Sequence, residues 1–358
     1  MSLSTVEDFH HRAAEMLDVE SFEYFNGAAG RRQTHMLNGS SFDHIRIKPR
    51  QLMNVEHRRM DLSLLGFSFS MPLGICPTAF HKLAHQDGEQ ATARAAAKMG
   101  IPMIMSSLAN STIPEVAQAA PTGTRWMQIY IHRNRDITKT IVKQAEENGF
   151  SAIVLTIDSA VHGIIHGSIR GSDQTPGRVR CAVFWDLQRQ GVIANSNEKS
   201  VVLDVDSSLT WKDVEWLMSI TKLPVIVKGV LTKEDAGCAL EIGVAAVYVS
   251  NHGGRQLDSI PATIEALPEI VSAVGGKIPI LFDGGVAKGT DIFKALAYGA
   301  DIVLVGRSIL WGLAVDGQRG VESVLEILRN ELDNTMALAG CSSLEEICRD
   351  RVQHEMHY

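Results

Sequence analysis

The chain has 358 residues, of which 45% are hydrophobic and 21% are charged, and its formal net charge is -7. These values are typical of a folded globular protein and exclude a fibrous repeat or a largely disordered chain. The negative charge and the scattered basic residues argue against a nucleic-acid partner. Because no run of about 18 apolar residues occurs, the sequence also predicts no membrane partner.

The five cysteines form no C-x-x-C pair and are odd in number. We therefore expect neither a disulfide framework nor a metal site, and we expect a reducing compartment. The amino terminus lacks the continuous apolar run of a signal peptide, and the chain does not end in a Ser-Lys-Leu peroxisomal signal. These features predict a cytoplasmic protein.

Residues 1–69 predict a helical amino-terminal cover, with helices over residues 6–17 and 21–25. From residue 70 onward, short apolar runs alternate with amphipathic helical stretches, which is the pattern of successive βα units. The eight predicted strands lie at residues 72–76, 102–105, 125–130, 152–157, 224–228, 246–249, 279–282 and 302–305. Helices are predicted over residues 88–98, 137–148, 233–242, 264–274, 289–296 and 321–338. Eight such units predict an α/β fold, a closed (β/α)8 barrel at residues 70–340, with a tail at 341–358.

A long stretch without clear periodicity, residues 159–209, follows the fourth predicted strand. A connection of this length is either disordered or functional. Because barrel enzymes carry their active sites at the carboxyl ends of the strands, we favour an active-site loop. The whole chain, residues 1–358, is predicted to form one domain.

The most informative segment is SNHGGRQLD, residues 250–258, which directly follows an apolar run. His252 and Arg255 are expected at the carboxyl end of a barrel strand, where barrels carry their chemistry. A histidine can take a proton near neutral pH, and an arginine can hold a carboxylate through two parallel hydrogen bonds. The pair therefore indicates removal of a proton or a hydride from a small acid. Alone, the segment would fit better a polar loop with turn glycines and a capping aspartate.

Two glycine-containing turns follow the last two strands. Asp283, Gly284 and Gly285 close the seventh strand, and Gly306 and Arg307 close the eighth, where barrels commonly bind a phosphate. Exposed backbone N–H groups and the charge of the arginine suit an anion. Glycines after a single strand usually serve only the reversal of the chain. Glycines after two adjacent strands indicate a phosphorylated cofactor.

Further polar residues occupy strand ends or stand out by their rarity. Lys228 ends an apolar strand, where a buried charge needs an anionic partner such as a cofactor ring, unless the amine reaches solvent. Asp158 follows the fourth strand and is expected either to orient His252 or to cap a turn. Tyr24 and Tyr130 are candidates for hydrogen bonds to a substrate oxygen, with core packing as the alternative.

These motifs resemble those of the FMN-dependent L-2-hydroxy acid oxidases and dehydrogenases, of the glycolate oxidase and hydroxyacid oxidase type. The likeness covers nearly the whole chain. The shared motifs are SNHGGRQLD at residues 250–258, DGGV at 283–286, PTA at 77–79, SS at 106–107, QIY at 128–130 and MALAGC at 336–341. The resemblance implies a TIM barrel, the cofactor FMN, and oxidation of an L-2-hydroxy acid to the 2-keto acid. It also implies a homotetramer or larger homo-oligomer, and a peroxisomal location as the alternative to a cytoplasmic one.

The resemblance also implies a role for each matching residue. His252 is the implied base, with Asp158 and Tyr130 as the other catalytic residues. Tyr24, Tyr130 and Arg255 are implied to bind the substrate. The implied FMN-binding residues are Pro77, Thr78, Ala79, Ser106, Gln128, Thr156, Lys228, Ser250, Asp283, Gly285, Gly306 and Arg307.

One departure from the family pattern concerns the substrate carboxylate. Ile165 stands where the family has a second carboxylate-binding arginine, so binding of a small hydroxy acid is expected to weaken by roughly 10- to 1000-fold. Arg170 and Arg178, in the long loop, are the candidate substitutes.

Two further departures concern the cofactor and the pocket. Ala287 stands where the family usually has an arginine that contacts FMN. Leu108 replaces a frequent tryptophan, and together with Ile164 and Ile165 it predicts a roomier and more apolar pocket. A substrate larger or more apolar than glycolate is therefore expected.

The main expectation is an FMN-dependent (S)-2-hydroxy-acid oxidase that uses O2 as electron acceptor and produces hydrogen peroxide. Oxygen is favoured over a protein acceptor because no electron-transfer domain is predicted, and a quinone remains open. The alternative is an FMN-binding paralogue with an altered substrate or without hydroxy acid turnover, which Ile165 and Ala287 motivate. The polar residues predicted around one cavity favour the enzyme.

Overall fold

The segment before the barrel combines three helices with three short strands. In the computed structural model, which describes residues 3–165, 180–193 and 204–355, its elements are α1 Val6–Met16, α2 Val19–Asn26, α3 Gln33–Ser40, β1 Ile45–Ile47, β2 Leu62–Leu64 and β3 Phe67–Phe69. The helices predicted in the cover over residues 1–69 are present, and the strands were not predicted, because three-residue strands are too short to show a period of two.

Eight parallel strands form a closed barrel, with each strand beside its sequence neighbours. The barrel strands are β4 Leu73–Ile75, β5 Met103–Met105, β6 Arg125–Ile129, β7 Ala152–Thr156, β8 Val225–Val230, β9 Ala246–Val249, β10 Ile280–Phe282 and β11 Ile302–Val305. Nearly every residue of these strands is buried, which is why they read as continuous apolar runs in the sequence. The predicted (β/α)8 barrel is confirmed.

Helices cover the outside of the barrel. They are α4 Gly88–Met99, α5 Ile113–Ala119, α6 Arg135–Glu147, α7 Ala182–Arg189, α8 Trp211–Ser219, α9 Lys233–Glu241, α10 Thr263–Val274, α11 Gly289–Ala297 and α12 Arg307–Ala339. A final strand, β12 Val352–His354, pairs antiparallel with β1 and ties the predicted tail to the amino-terminal segment. No helix in these ranges is long and apolar enough to span a membrane.

Helix α12 differs most from its prediction, because it begins at Arg307 rather than at residue 321. Its backbone breaks at Asp316 and Gly317, where φ is -150° and 54°. A break of this kind hides the first half of the helix from a periodicity search. The early start places the amino-terminal end of α12 directly after β11, at the catalytic end of a barrel.

Strand β8 carries an irregularity between Lys228 and Val230. Gly229 has a φ of 110°, and a Cβ atom there would lie 2.8 Å from the Cβ of Asp158. Glycine is therefore needed for β8 to approach the end of β7.

The predicted active-site loop, residues 159–209, falls partly outside the described residues. Its described parts include α7, which the sequence did not predict. The candidate substitutes Arg170 and Arg178 lie outside the described residues.

Candidate active site

A cavity of about 560 Å³ lies at the carboxyl ends of the barrel strands, within the usual size of small-molecule and cofactor sites. Fifteen predicted site residues line it: Tyr24, Pro77, Thr78, Ala79, Ser106, Gln128, Tyr130, Thr156, Lys228, His252, Arg255, Asp283, Gly285, Gly306 and Arg307. Asp158 and Ser250 are the predicted site residues that do not line it.

His252 and Asp158 form a hydrogen-bonded pair. The distance from His252 Nδ1 to Asp158 Oδ1 is 2.9 Å, and the Ser159 hydroxyl donates to the same oxygen at 3.0 Å. Burial acts to raise the pKa of Asp158, but His252 and Lys228 outweigh it and lower that pKa to about 2. The ionised carboxylate therefore favours the tautomer with the proton on Nδ1, which leaves Nε2 as the proton acceptor.

The backbone turn that presents His252 is left-handed over three residues. The φ angles are 58° at His252, 63° at Gly253 and 73° at Gly254. This conformation is uncommon for a histidine and is typical of residues that the surrounding structure holds in place at functional sites. A Cβ atom on Gly254 would lie 2.7 Å from the backbone nitrogen of His35, so this position needs a glycine.

Ser250 and Asn251 support the turn from below. Ser250 is fully buried, and its hydroxyl accepts a hydrogen bond from His252 N at 3.2 Å. Asn251 exchanges two amide hydrogen bonds with Asn38 of α3, at 2.8 and 2.7 Å. Sequence reasoning missed the Asn38–Asn251 pair. The sequence holds two asparagines far apart in the chain and gives no sign that they meet.

Asp258 anchors the amino terminus of α3. Its carboxylate accepts hydrogen bonds from Arg31 N at 2.8 Å and from Thr34 N at 2.9 Å. The alternative interpretation of residues 250–258 expected a capping aspartate, and Asp258 is one. It coexists with the His252–Asp158 pair, because Asp258 faces the amino-terminal segment.

Arg255 is held by carbonyl groups near the carboxyl end of α2. Its Nη1 donates to Tyr24 O at 2.8 Å and to Gly27 O at 3.0 Å, and its guanidinium lies 5.2 Å from the centroid of the Tyr24 ring. Burial lowers its pKa, and Tyr24 and Tyr130 partly offset that effect. Among the described residues no carboxylate forms an ion pair with Arg255, so this cation can bind an anionic ligand.

Tyr24 and Tyr130 complete this side of the cavity. Burial raises the pKa of both hydroxyls, and Asp158 raises that of Tyr130 further. Both hydroxyls therefore stay protonated near neutral pH and can donate hydrogen bonds to a ligand oxygen.

Arg307, the first residue of α12, is a second buried cation. It donates to the carbonyl oxygens of Phe25 at 3.0 Å, Gly253 at 3.0 Å and Gly27 at 2.7 Å. Burial lowers its pKa to about 9, and Arg255 and Arg32 act in the same direction.

The end of the cavity beside Arg307 is electropositive. Besides the cations themselves, the free N–H groups at the start of α12 face this region, since Gly306 and Arg307 line the cavity. The pKa of His35 is lowered to about 4 by burial and by Arg307 and Arg32. A phosphate would relieve these unfavourable interactions.

Asp283 lines the cavity, and one of its two carboxylate oxygens has no hydrogen-bond partner among the described residues. Its Oδ2 accepts from Tyr248 Oη at 2.8 Å and from Cys76 Sγ at 3.4 Å. Its Oδ1 is buried and has no hydrogen-bond partner among the described residues. A ligand hydroxyl would satisfy it.

Another part of the cavity is lined by polar side chains, among them Gln128, Thr156 and Lys228. Gln128 donates to Thr156 Oγ1 at 3.0 Å and accepts from Ser107 N at 3.1 Å. Lys228 is 3% exposed, and its amine lies 5.5 Å from the Tyr248 ring. Together with Arg307 and Asp283, this arrangement fits a ligand with a phosphate, a chain of hydroxyls and a polar ring, as FMN has.

The residues that depart from the family pattern take different positions. Leu108 and Ala287 line the cavity. Ile164 is 71% exposed, and neither it nor Ile165 lines the cavity. The more apolar wall expected from Ile164 and Ile165 is therefore not what the described residues form. His162, from the same segment, lies in that wall instead.

Comparison with known proteins shows the family of this chain. The model of the FMN-dependent dehydrogenases matches residues 13–354. The chain is 46% identical over 353 residues to the peroxisomal (S)-2-hydroxyacid oxidase GLO4 of Arabidopsis thaliana, with 98% of this chain and 96% of the relative covered. It is 43% identical over 355 residues to the glycolate oxidase of Spinacia oleracea, with the same coverage.

Solved structures of mandelate oxidase and (S)-mandelate dehydrogenase are also similar to this chain. A soluble mutant of the membrane-associated (S)-mandelate dehydrogenase from Pseudomonas putida superimposes with a TM-score of 0.89 at 33% identity, with 99% of this chain and 100% of that chain covered. A mandelate oxidase structure gives a TM-score of 0.90 at 33% identity, with 99% of both chains covered. The predicted family and its cofactor FMN are confirmed: the chain belongs to the FMN-dependent dehydrogenase family.

Proposed function

We propose that the protein oxidises an L-2-hydroxy acid to the 2-keto acid, with O2 as the electron acceptor and hydrogen peroxide as the second product. The observation that carries this proposal is the His252–Asp158 pair at 2.9 Å, with His252 on the same cavity as Arg255, which forms no ion pair with any described residue. A base beside a cationic anion-binding group suits a substrate that carries a hydroxyl and a carboxylate on one carbon. The relatives' names, (S)-2-hydroxyacid oxidase and glycolate oxidase, agree with it.

FMN, when bound, supplies the two-electron acceptor. Arg307 and the start of α12 are proposed to hold its phosphate, Asp283 and Gly285 the ribityl region, and Lys228 the polar edge of the ring. Other proposed contacts come from lining residues around the ring: Pro77, Thr78, Ala79, Ser106, Gln128, Thr156 and Gly306. Ser250 acts through the turn that it supports rather than through the cavity.

The substrate is proposed to bind in the part of the cavity that Arg255, Tyr24, Tyr130 and His252 line. Arg255 holds the carboxylate, and the hydroxyls of Tyr24 and Tyr130 donate to the substrate oxygens. His252 Nε2 takes a proton from the substrate. Asp158 stabilises the imidazolium that forms, since its carboxylate is already ionised and hydrogen-bonded to Nδ1.

The size of the substrate follows from the cavity wall. Leu108 lines the cavity where the family frequently has a tryptophan, which leaves more room beside the substrate. We therefore expect a side chain larger than that of glycolate. A paralogue without turnover is disfavoured, because an inactive protein would gain nothing from a strained His252 that pairs with a buried carboxylate.

The test is the visible absorption spectrum of the purified holoprotein under anaerobic conditions, before and after addition of L-2-hydroxy acids from glycolate to long-chain and aromatic members. Bleaching of the flavin band supports the proposal, and admission of air should restore the band with formation of hydrogen peroxide. A flavin band that no acid bleaches would contradict it. A bleached band that only a quinone restores would overturn the choice of O2.

The assembly and the location of the protein are further parts of the proposal. Family resemblance supports a homotetramer or larger homo-oligomer, which light scattering after size-exclusion chromatography would measure. A cytoplasmic location is proposed, with the peroxisome as the alternative, and imaging of a fusion with an unmodified carboxyl terminus distinguishes the two. The single-domain organisation over residues 1–358 is tested by limited proteolysis of the holoprotein.

A further inference from the structure

The segment that follows Asp158 places an imidazole in the wall of the cavity. Ser159, His162 and Gly163 line the cavity, whereas Val161, which is 73% exposed, does not; His162 is itself exposed to solvent at this wall. Only part of the segment therefore faces a ligand. Of the residues of this segment that line the cavity, His162 has the longest side chain.

Hydrogen bonds on both sides hold this segment in place. Gly163 N donates to Gln256 Oε1 at 2.8 Å, and Gln256 Nε2 donates to Ser159 Oγ at 2.7 Å. On the other side, Gly30 N donates to Ile164 O at 2.9 Å. These hydrogen bonds hold the backbone at Gly163 and Ile164, which directly follow His162.

Gly163 brings the segment against the backbone that carries Arg255. A Cβ atom on Gly163 would lie 2.2 Å from Arg255 O and 2.6 Å from Gln256 O. Such an approach is open to glycine alone. His162 therefore stands beside the loop that presents both His252 and Arg255.

The charges around His162 are those of a site for an electron-rich group. Burial lowers its pKa, and His252 lowers it further, so the two imidazoles are close enough to interact. The acidic residues of the cavity lining are Glu7, which lies on α1, and Asp283, whose carboxylate is bonded to Tyr248. Within the described lining, an uncharged imidazole at this point has no carboxylate neighbour and is available to a ligand.

We propose that His162 is a specificity-determining residue that donates a hydrogen bond to an acceptor on the substrate's side chain. The preferred substrates are then L-2-hydroxy acids with a carboxylate or another oxygen acceptor beyond the hydroxyl-bearing carbon. This inference rests on the proposed function and refines it. The substrate carboxylate itself belongs to Arg255.

The experiment compares acids of equal size that differ in the acceptor. L-malate is paired with L-2-hydroxy-4-methylpentanoate, whose branched methyl groups replace the carboxylate oxygens, and L-2-hydroxyglutarate is paired with L-2-hydroxy-5-methylhexanoate. The proteins are the wild-type holoenzyme and the variants His162→Leu, His162→Gln and Val161→Ala. Val161→Ala is the matched control, because it changes an exposed neighbour of His162.

For His162→Leu we expect kcat/KM for the acceptor-bearing acids to fall by about 10- to 100-fold, mainly through KM, with little change for the methyl-bearing acids. His162→Gln keeps a donor and should restore part of the loss. Flavin content and Tm report whether the variants are folded.

Three results would overturn the inference. An equal effect of His162→Leu on both members of each pair would show a structural role, while the proposed function would stand. A wild-type preference for the methyl-bearing acids would show that the enzyme does not select a hydrogen-bond acceptor on the substrate's side chain. If no acid bleaches the flavin of the wild type, the proposed function fails and the inference fails with it.

Discussion

Arg255 and Arg307 donate hydrogen bonds to the same acceptor, the carbonyl oxygen of Gly27, at 3.0 and 2.7 Å. Arg255 is one of the causes that lower the pKa of Arg307 to about 9, so the charged form of Arg307 is disfavoured by its neighbour as well as by burial. Two like charges at one carbonyl are unfavourable unless each meets an anion. We infer that Gly27 marks the boundary between a phosphate site and a carboxylate site.

We therefore expect substitution of Arg307 to affect the binding of FMN and substitution of Arg255 to affect the binding of a carboxylate. Arg307→Gln is expected to raise the Kd of FMN by about 10- to 1000-fold, because a charge-assisted contact to the phosphate is lost. Arg255→Gln should retain FMN and lose affinity for oxalate, a carboxylate probe that cannot be oxidised as a hydroxy acid. Fluorescence titration with FMN and absorption titration with oxalate measure the two constants. If both variants lose FMN equally, the two sites are not separate.

Asp158→Asn is expected to lower kcat by about 10²- to 10⁴-fold while flavin content stays the same. The neutral amide removes the charge that stabilises the imidazolium of His252 and can hold the wrong tautomer. Rapid mixing with the best substrate measures the rate of flavin reduction. Unchanged reduction would show that Asp158 serves the fold alone.

The pH dependence of the Asp158 contribution has a definite sign. Its pKa lies at about 2, below the ordinary value of 3.8, so the contribution of the ionised Asp158 carboxylate to folding is fully present above pH 3.8. That contribution is lost as the pH falls from 3.8 towards 2. The stability of wild type relative to Asp158→Asn, measured by chemical denaturation, should therefore be constant above pH 4 and diminish below it. A difference that diminishes already at pH 6 would point to another group.

The sequence predicted the barrel and the cofactor end better than the substrate end, for physical reasons. Buried parallel strands give continuous apolar runs, and residues at strand ends such as Lys228 and Asp283 are placed by the barrel itself. Loop residues are placed by hydrogen bonds to distant segments. Neither the exposure of Ile164 nor the position of His162 in the wall can be read from spacing alone.

The anchoring of the amino-terminal segment was also missed, because both partners of each contact are far apart in the chain. The Asn38–Asn251 pair joins α3 to the turn that carries His252. Asn38→Ala leaves a buried amide without its partner and should destabilise the protein by about 1–3 kcal/mol. Tm and flavin retention on heating are the measurements.

A double variant distinguishes this explanation from a loss of packing. In Asn38→Leu with Asn251→Leu, both polar partners are replaced together, and much of the lost stability should return. A double variant that is less stable than either single variant would show that the amides have independent roles.

Ala287 lies in the cavity lining, at the position where the resemblance implies an arginine that contacts FMN. Ala287→Arg is expected to lower the Kd of FMN by about 10-fold, since one charge-assisted contact is added. Salt should weaken FMN binding more in the variant than in the wild type, because the added contact is electrostatic. An unchanged Kd at low ionic strength would mean that Arg307 and the start of α12 already satisfy the phosphate.

Ile165→Arg tests whether the missing second cation limits activity on small acids. Although Ile165 does not line the cavity, the resemblance implies a carboxylate-binding arginine at this position, and on that basis the new guanidinium should lower KM for glycolate or L-lactate by about 10-fold or more. Ile164→Arg is the matched control, since Ile164 is 71% exposed and adds the same charge on the solvent side. If the two variants behave alike, the gain is a general electrostatic effect. If Ile165→Arg leaves KM unchanged, the size of the pocket at Leu108 rather than the number of cations restricts the use of small acids.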